Sequence, residues 1–217
     1  MLDLKLGGNR ETPKEFLFIG AHCDDIEIGC GGTVLRLAKE FSRAIVHWVV
    51  FSSGEKRAAE AHRSSELFLG NVASKTVTIK DFRNGYFPYV GAQIKDYFED
   101  LKNTIKPDVI FTHYGLDNHQ DHRVLSDLTW NTFRDHFILE YEIPKYDGGF
   151  GSPNIFFPLQ QNEYQRKVDI LLECFTSERL KHWFTKDTFM GLMRLRGIEC
   201  NAPSGYAEAF YCRKAIL

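Results

Sequence analysis

The sequence predicts an α/β fold, a Rossmann-like three-layer α/β/α sandwich with a mostly parallel sheet, on three observations. Short runs that are apolar throughout alternate with amphipathic stretches. The runs lack the in-out alternation of a half-exposed strand, so both of their faces are covered. Polar loops follow the runs before each helical stretch, the order of right-handed strand–helix–strand crossovers.

Each element has its own signal. Phe16-Leu17-Phe18-Ile19 is the first buried strand. After a polar loop, Gly31-Gly32-Thr33 opens a helix with the stripe Val34, Ala38 and Phe41. Residues 44–51 form the second strand, and Ser52-Ser53-Gly54 turns into a helix that carries Ala58, Ala61, Ser65 and Phe68 and stops at Gly70. Val77-Thr78-Ile79 is the third strand, and residues 85–90 are a loop containing Pro88. Ile94, Tyr97, Phe98, Leu101 and Ile105 mark a periodic helix closed by Pro107. Residues 109–112 are the fourth strand, followed by a helix through Val124, Leu125, Leu128 and Phe133 and a fifth strand over 137–141. Residues 144–158 read as a glycine-rich rim loop over the site. Val168, Leu171, Leu172 and Phe175 define another helix, and residues 206–211 a closing strand.

Composition bounds the reading. A chain of 217 residues, 43% hydrophobic and 26% charged, suits one domain spanning 1–217. A net charge of −2 without a basic run interleaved with aromatics predicts no nucleic-acid partner. No stretch approaches the roughly 20 apolar residues of a membrane span, and residues 1–15 lack an apolar leader core. Five cysteines without a C-x-x-C pair argue against a disulfide framework. The expectation is a cytoplasmic protein with reduced thiols, without membrane insertion.

Two clusters carry chemistry. Gly20-Ala21-His22-Cys23-Asp24-Asp25-Ile26-Glu27-Ile28-Gly29-Cys30-Gly31-Gly32-Thr33 leaves the first strand, and Thr112-His113-Tyr114-Gly115-Leu116-Asp117-Asn118-His119-Gln120-Asp121-His122 leaves the fourth. Loops from the carboxyl ends of neighbouring parallel strands converge, so the clusters read as halves of one site. His22, Asp25 and one histidine of the second cluster would make a three-ligand metal set with a position open for water. Asp24 is placed as a base toward that water, and a second histidine, held by a neighbouring aspartate, as partner of the oxyanion. His113 and Asp117 either brace the loop or join the site, and Glu27 either orients glycine-rich backbone or touches the chemistry. His47, His62, His136 and His182 have no acidic or histidine neighbours in their own elements and read as structural or solvated.

The first loop resembles the A-H-x-D-D-x-E-x-G-x-G-G-T signature of the PIG-L (LmbE-like) family of zinc-dependent N-acetylglucosamine deacetylases, and the second is similar to that family's T-H-x-x-x-D-x-H-x-D-H. Arg57-Ala58-Ala59-Glu60 before Leu69-Gly70 resembles its R-x-x-E helix ending in L-G. Arg196-Gly197 with Tyr206-Ala207-Glu208-Ala209-Phe210 resembles its R-G and Y-A-E-A-F ending. The resemblance implies His22, Asp25 and His122 as metal ligands and Asp24 as general base. It implies His119 as the histidine that stabilises the oxyanion and protonates the leaving amine, Asp121 as the carboxylate orienting it, and Arg57 as a substrate-holding residue. The implied cofactor is Zn2+, with another divalent metal such as Fe2+ as the alternative. The implied substrate is a small N-acetylated amino sugar, an N-acetylglucosamine conjugate or nucleotide sugar, and homo-oligomers are common among look-alikes. Cys23 stands where most members have proline, and Ile26-Glu27 shifts an acid by one position, a sub-pattern resembling deacetylases of bacillithiol-type pathways. Phe175-Thr176-Ser177-Glu178 stands in place of H-x-S-Q.

Two other classes are compatible with parts of the pattern. Two histidines and a carboxylate also make the facial triad of a non-haem Fe(II) oxygenase, which leaves Asp24 and the His119–Asp121 pair without a task. The third reading is a catalytically idle sugar-binding module. Residues 86–91 and 144–158, with Tyr86, Phe87, Tyr89, Tyr146 and Phe150, are expected to form the rim that meets the sugar.

Overall fold

The computed structural model describes residues 6, 13–70 and 72–216; most of the 1–15 segment lies outside them. The chain runs β1 (Glu15–Gly20), α1 (Asp25–Glu40), β2 (Ile45–Val50), α2 (Glu55–Leu69), β3 (Ser74–Ile79), α3 (Gly91–Thr104), β4 (Val109–His113), α4 (Gln120–Thr132), β5 (Phe137–Tyr141), β6 (Ile155–Pro158), α5 (Gln161–Cys174), α6 (Lys186–Glu199) and β7 (Ala207–Tyr211). Single turns of 3-10 helix occupy Phe87–Tyr89 and Thr176–Glu178.

The sheet order is β3-β2-β1-β4-β5-β7-β6. Strands β1 to β5 are parallel, while β7 pairs antiparallel with β5 and β6 antiparallel with β7. This is the predicted α/β class, with an antiparallel pair added at one edge. Alternate residues of β1 serve different cores: Phe16 and Phe18 face the layer of α1, α2 and α5, and Leu17 and Ile19 the layer of α3 and α4. Strand order reverses between β1 and β4, so the crevice at their carboxyl ends is where a ligand site belongs in such a sheet.

Three elements differ from expectation. Helix α1 starts at Asp25, not Gly31, and bends at Cys30, whose φ/ψ of −143°/18° are not helical. The glycines lie inside the helix because it crosses its neighbours closely: a Cβ on Gly29 would sit 2.2 Å from Tyr141, and one on Gly32 2.4 Å from Leu159. The bend frees backbone groups that Lys167 and Glu208 take up. Lys167 Nζ donates to the Ile28 carbonyl at 2.6 Å, and Glu208 accepts from Gly32 N–H at 2.9 Å and Thr33 N–H at 2.6 Å. The predicted rim loop over 144–158 ends in a strand, β6. Helix α6 had no expectation; Phe189, Met193 and Gly197 bury one stripe, but Gly191 and the exposed Leu195 and Ile198 blur its periodicity. Among the described residues no helix is long and apolar enough to cross a membrane.

Candidate active site

The loops leaving β1 and β4 meet in the crevice. Ala21 N–H donates to His113 Nε2 at 2.9 Å, which ties one loop to the other. Asp25 opens α1 and its Oδ2 accepts His22 N–H at 2.7 Å, so backbone geometry fixes the carboxylate beside the imidazole. Three donor atoms then form a nearly equilateral triangle: His22 Nδ1 to Asp25 Oδ2 is 3.3 Å, His122 Nε2 to Asp25 Oδ2 3.4 Å, and His122 Nε2 to His22 Nδ1 3.3 Å. Ligands about 2.0–2.1 Å from a tetrahedral zinc are about 3.3 Å apart, so these three atoms are one face of such a coordination shell.

His22, His119 and His122 form another grouping within reach of one ion, in which His119 stands in for Asp25. His113, His122 and Asp25 also cluster, with His113 Nε2 3.3 Å from Asp25 Oδ2. That nitrogen already accepts the Ala21 N–H, so its lone pair is committed. Burial, reinforced by the neighbouring His122, lowers His113 to about 3, and the ring is neutral. His113 braces the loops. Against burial, which lowers it, Asp25 and Asp121 raise His22 to about 9. The same crowding holds Asp25 well below the carboxylate range: burial opposes this, and His122, His113 and His22 outweigh it. A dense set of donors sharing one carboxylate oxygen is what a bound cation would relieve.

Each of the two triangle histidines has a carboxylate behind it. Asp117 Oδ2 lies 3.0 Å from His122 Nδ1 and accepts from Lys145 at 2.7 Å. Asp121 Oδ2 lies 3.4 Å from His22 Nε2. Such carboxylates fix the tautomer and orientation of metal-binding imidazoles. The expected pairing of Asp121 with His119 is therefore not what forms. Asp121 instead faces His22 and accepts from Gly85 N–H at 2.6 Å and Phe87 N–H at 3.1 Å, pinning the loop before α3.

His119 caps α4, its Nδ1 accepting Asp121 N–H at 3.3 Å. The ring hydrogen is then on Nε2. Burial lowers its pKa, and His122 and His22 lower it further, which favours the neutral ring. Asp24 precedes α1 and its Oδ1 accepts from Arg57 at 2.9 Å. Burial raises the Asp24 carboxyl; Arg57 opposes that, and Asp25 and Glu178 add to it. Arg57 also lies 3.4 Å from Glu178 Oε1.

Several participants had not been anticipated. Glu60, one turn after Arg57, accepts from Thr176 Oγ1 at 2.6 Å, Ser177 N–H at 3.0 Å and Ser177 Oγ at 2.5 Å. The 175–178 block is thus latched to α2, and the i, i+3 spacing of Arg57 and Glu60 was the available signal. Tyr146 meets His182 Nδ1 at 2.9 Å, joining the 144–158 segment to the α5–α6 connection. Phe87 is buried against His22 and is not a rim residue, whereas Tyr86, Tyr89, Tyr146 and Phe150 are exposed. Glu27 is fully buried, neither oxygen meets a hydrogen-bond partner of good geometry among the described residues, and burial pushes its carboxyl well up. Cys23 is buried with its thiol toward Ser52 O at 3.5 Å. His47 and His136 do have acidic neighbours, Glu15 and Asp135, each at 3.0 Å and away from this site.

Residues 17–133 match the PIG-L family, described as GlcNAc-PI de-N-acetylase. A curated Escherichia coli K12 protein named as an uncharacterized deacetylase, YaiS, is 29% identical over 178 residues, covering 79% of this chain and 96% of its own. The fold is shared with the conserved protein TT1542 of Thermus thermophilus (TM-score 0.74, 18% identity, 93% and 95% of the two chains). It is shared with N,N'-diacetylchitobiose deacetylase of Pyrococcus horikoshii (0.67, 18%, 93% and 84%). It is shared as well with GalB, the 4-carboxy-2-hydroxymuconate hydratase of Pseudomonas putida KT2440 (0.72, 15%, 94% and 98%). At such identities the structural likeness speaks for the fold, which hosts more than one chemistry. The family match spans more than half of the 217 residues and includes the whole donor triangle, Asp24 and His119. The chain belongs to the PIG-L family of deacetylases.

Proposed function

We propose that the protein is a divalent-metal-dependent hydrolase that removes the N-acetyl group from a small amino sugar of the N-acetylglucosamine type. The observation that carries this reading is the triangle of His22, Asp25 and His122 donor atoms, 3.3–3.4 Å on each edge, with Asp24 adjoining it. Zn2+, or another divalent ion such as Fe2+, held there supplies a Lewis acid and a water of pKa about 7.

The chain's own groups do the rest. Arg57 occupies Asp24 Oδ1, so the other oxygen takes the proton of the attacking water. The raised Asp24 carboxyl suits a base that must later return that proton to the leaving amine. His119, with its hydrogen on Nε2, donates to the acyl oxygen as charge develops there, and Asp121 N–H on Nδ1 fixes that orientation. Asp121 and Asp117 are positioning residues for His22 and His122. Arg57 holds Asp24 and faces the substrate. All five cysteines are unpaired, which suits a reducing compartment, and the cytoplasm is the setting proposed.

The same triangle would serve an Fe(II) oxygenase, but Asp24 and His119 would then have no part in the reaction. The deciding experiment measures acetate release from a panel of N-acetylglucosamine conjugates together with metal content. One divalent ion per chain, lost in His22→Ala and His122→Ala, with acetate formed stoichiometrically, is the expected result. Full metal occupancy in both variants, or oxygen uptake with a 2-oxo acid in place of acetate release, would overturn it.

A further inference from the structure

Beside the donor triangle lies a closed charge cluster. Arg57 reaches Asp24 Oδ1 at 2.9 Å and Glu178 Oε1 at 3.4 Å through the same terminal nitrogen, and Lys181 lies against the other oxygen of Glu178. Two cations and two carboxylates cancel. Glu178 is not a drifting surface acid: its side chain is 4% exposed, and the Glu60 hydrogen bonds to Thr176 and Ser177 fix the turn that carries it. Lys145 and Arg123 are engaged as well, by Asp117 Oδ2 and by the Asp117 and Asn118 carbonyls. The Arg57 side chain is 23% exposed, while its Nε is buried without a hydrogen-bond partner among the described residues. A guanidinium whose charge is matched twice, yet which stays partly exposed, suits hydroxyls and amide carbonyls. It does not suit phosphate or carboxylate, which would meet the nearby Glu178 carboxylate.

We propose that Glu178 makes this pocket selective for N-acetyl sugars whose remaining substituents are uncharged, and against phosphorylated or carboxylated conjugates. The inference rests on the deacetylase reading above. Glu178 acts through Arg57 and by its own charge, not on the reacting atoms.

The test compares N,N'-diacetylchitobiose, a neutral probe, with N-acetylglucosamine 6-phosphate and UDP-N-acetylglucosamine on metal-loaded wild type, Glu178→Gln and Glu178→Asp. The wild type is expected to prefer the neutral sugar in kcat/KM. Removing one negative charge in Glu178→Gln should raise the anionic-to-neutral ratio about tenfold, through KM and not kcat. Glu178→Asp, which restores the charge, should return the ratio toward wild type and guards against a loss of fold. A wild type that prefers a phosphorylated sugar, or a ratio in Glu178→Gln within about twofold of wild type, overturns the proposal. Calorimetric Kd values for the same probes separate the two readings. Binding without acetate release sinks the hydrolase while the Kd ratio still decides on Glu178. Absence of any binding of the neutral sugar overturns the selectivity as well.

Discussion

Asp24 and Asp25 are neighbours in sequence whose surroundings drive them apart in chemistry. Burial raises Asp24, whereas three imidazoles hold Asp25 ionised at the donor triangle. Asp24→Asn should keep the metal and lose about 10²-fold or more in kcat, the usual worth of a general base. Metal analysis alongside steady-state kinetics checks both halves, and near-normal turnover would assign the proton to another group. Asp121→Ala should weaken metal binding about 10- to 100-fold, because it removes the carboxylate behind His22. His119→Ala should leave metal content unchanged and lower kcat, so competition with a chelator separates the two residues. The spacing of His22, Asp24, Asp25, His119 and His122 was legible in the sequence because each loop is short and leaves a strand. The target of Asp121 was not. Which imidazole a carboxylate faces depends on how two loops 99 residues apart are set against each other.

At the scale of elements, the telling piece is the turn at Thr176–Glu178 held by α2. Its acceptor, Glu60, lies 116 and 117 residues away, a separation no local pattern reveals, so the block read as a mere departure from its family. Glu60→Ala strips three hydrogen bonds from a charged acceptor and should cost about 1–3 kcal/mol, read as a lowered midpoint in urea. The same contact gives a pH dependence of known sign. Burial would raise Glu60, but the hydrogen bonds from Ser177 and Thr176 outweigh it and hold its folded-state value down. The stabilisation is therefore present above the unfolded value of about 4.3 and is lost as pH falls through the lower folded value. In Glu60→Gln that part of the acid sensitivity should disappear; an unchanged difference between pH 6 and pH 3.5 would show that the turn is held by something else.

For the whole molecule, the site sits at the reversal of strand order in a sheet whose two cores are packed independently of any ligand. Removing the metal should leave far-ultraviolet circular dichroism unchanged and lower the melting temperature by a few degrees at most. Collapse of the helical signal on chelation would mean that the crowded donors need the ion to fold. The parallel core was readable because β1, β2 and β4 each carry consecutive apolar residues that reach both faces of the sheet. The direction of β7 was not, since a strand buried at every position looks the same from either end. The pairing of Lys167 with Glu208 escaped as well, although Glu208 stood out in its block: a lysine and a glutamate 41 residues apart reveal no pairing until the bend in α1 offers them Ile28 O, Gly32 N and Thr33 N. Lys167→Met leaves Glu208 buried without its cation and should cost about 3–5 kcal/mol, measurable by denaturant unfolding.

That bend also bears on how the protein comes into being. Every group of the donor triangle has been synthesised by residue 122, but the helix that begins at Asp25 is completed only by side chains from α5 and β7. A nascent chain stopped between residues 122 and 208 would carry all three donor groups while backbone groups at the midpoint of α1 stayed open. Vectorial synthesis thus leaves the bend of α1 unsatisfied until the last strand has slotted between β5 and β6.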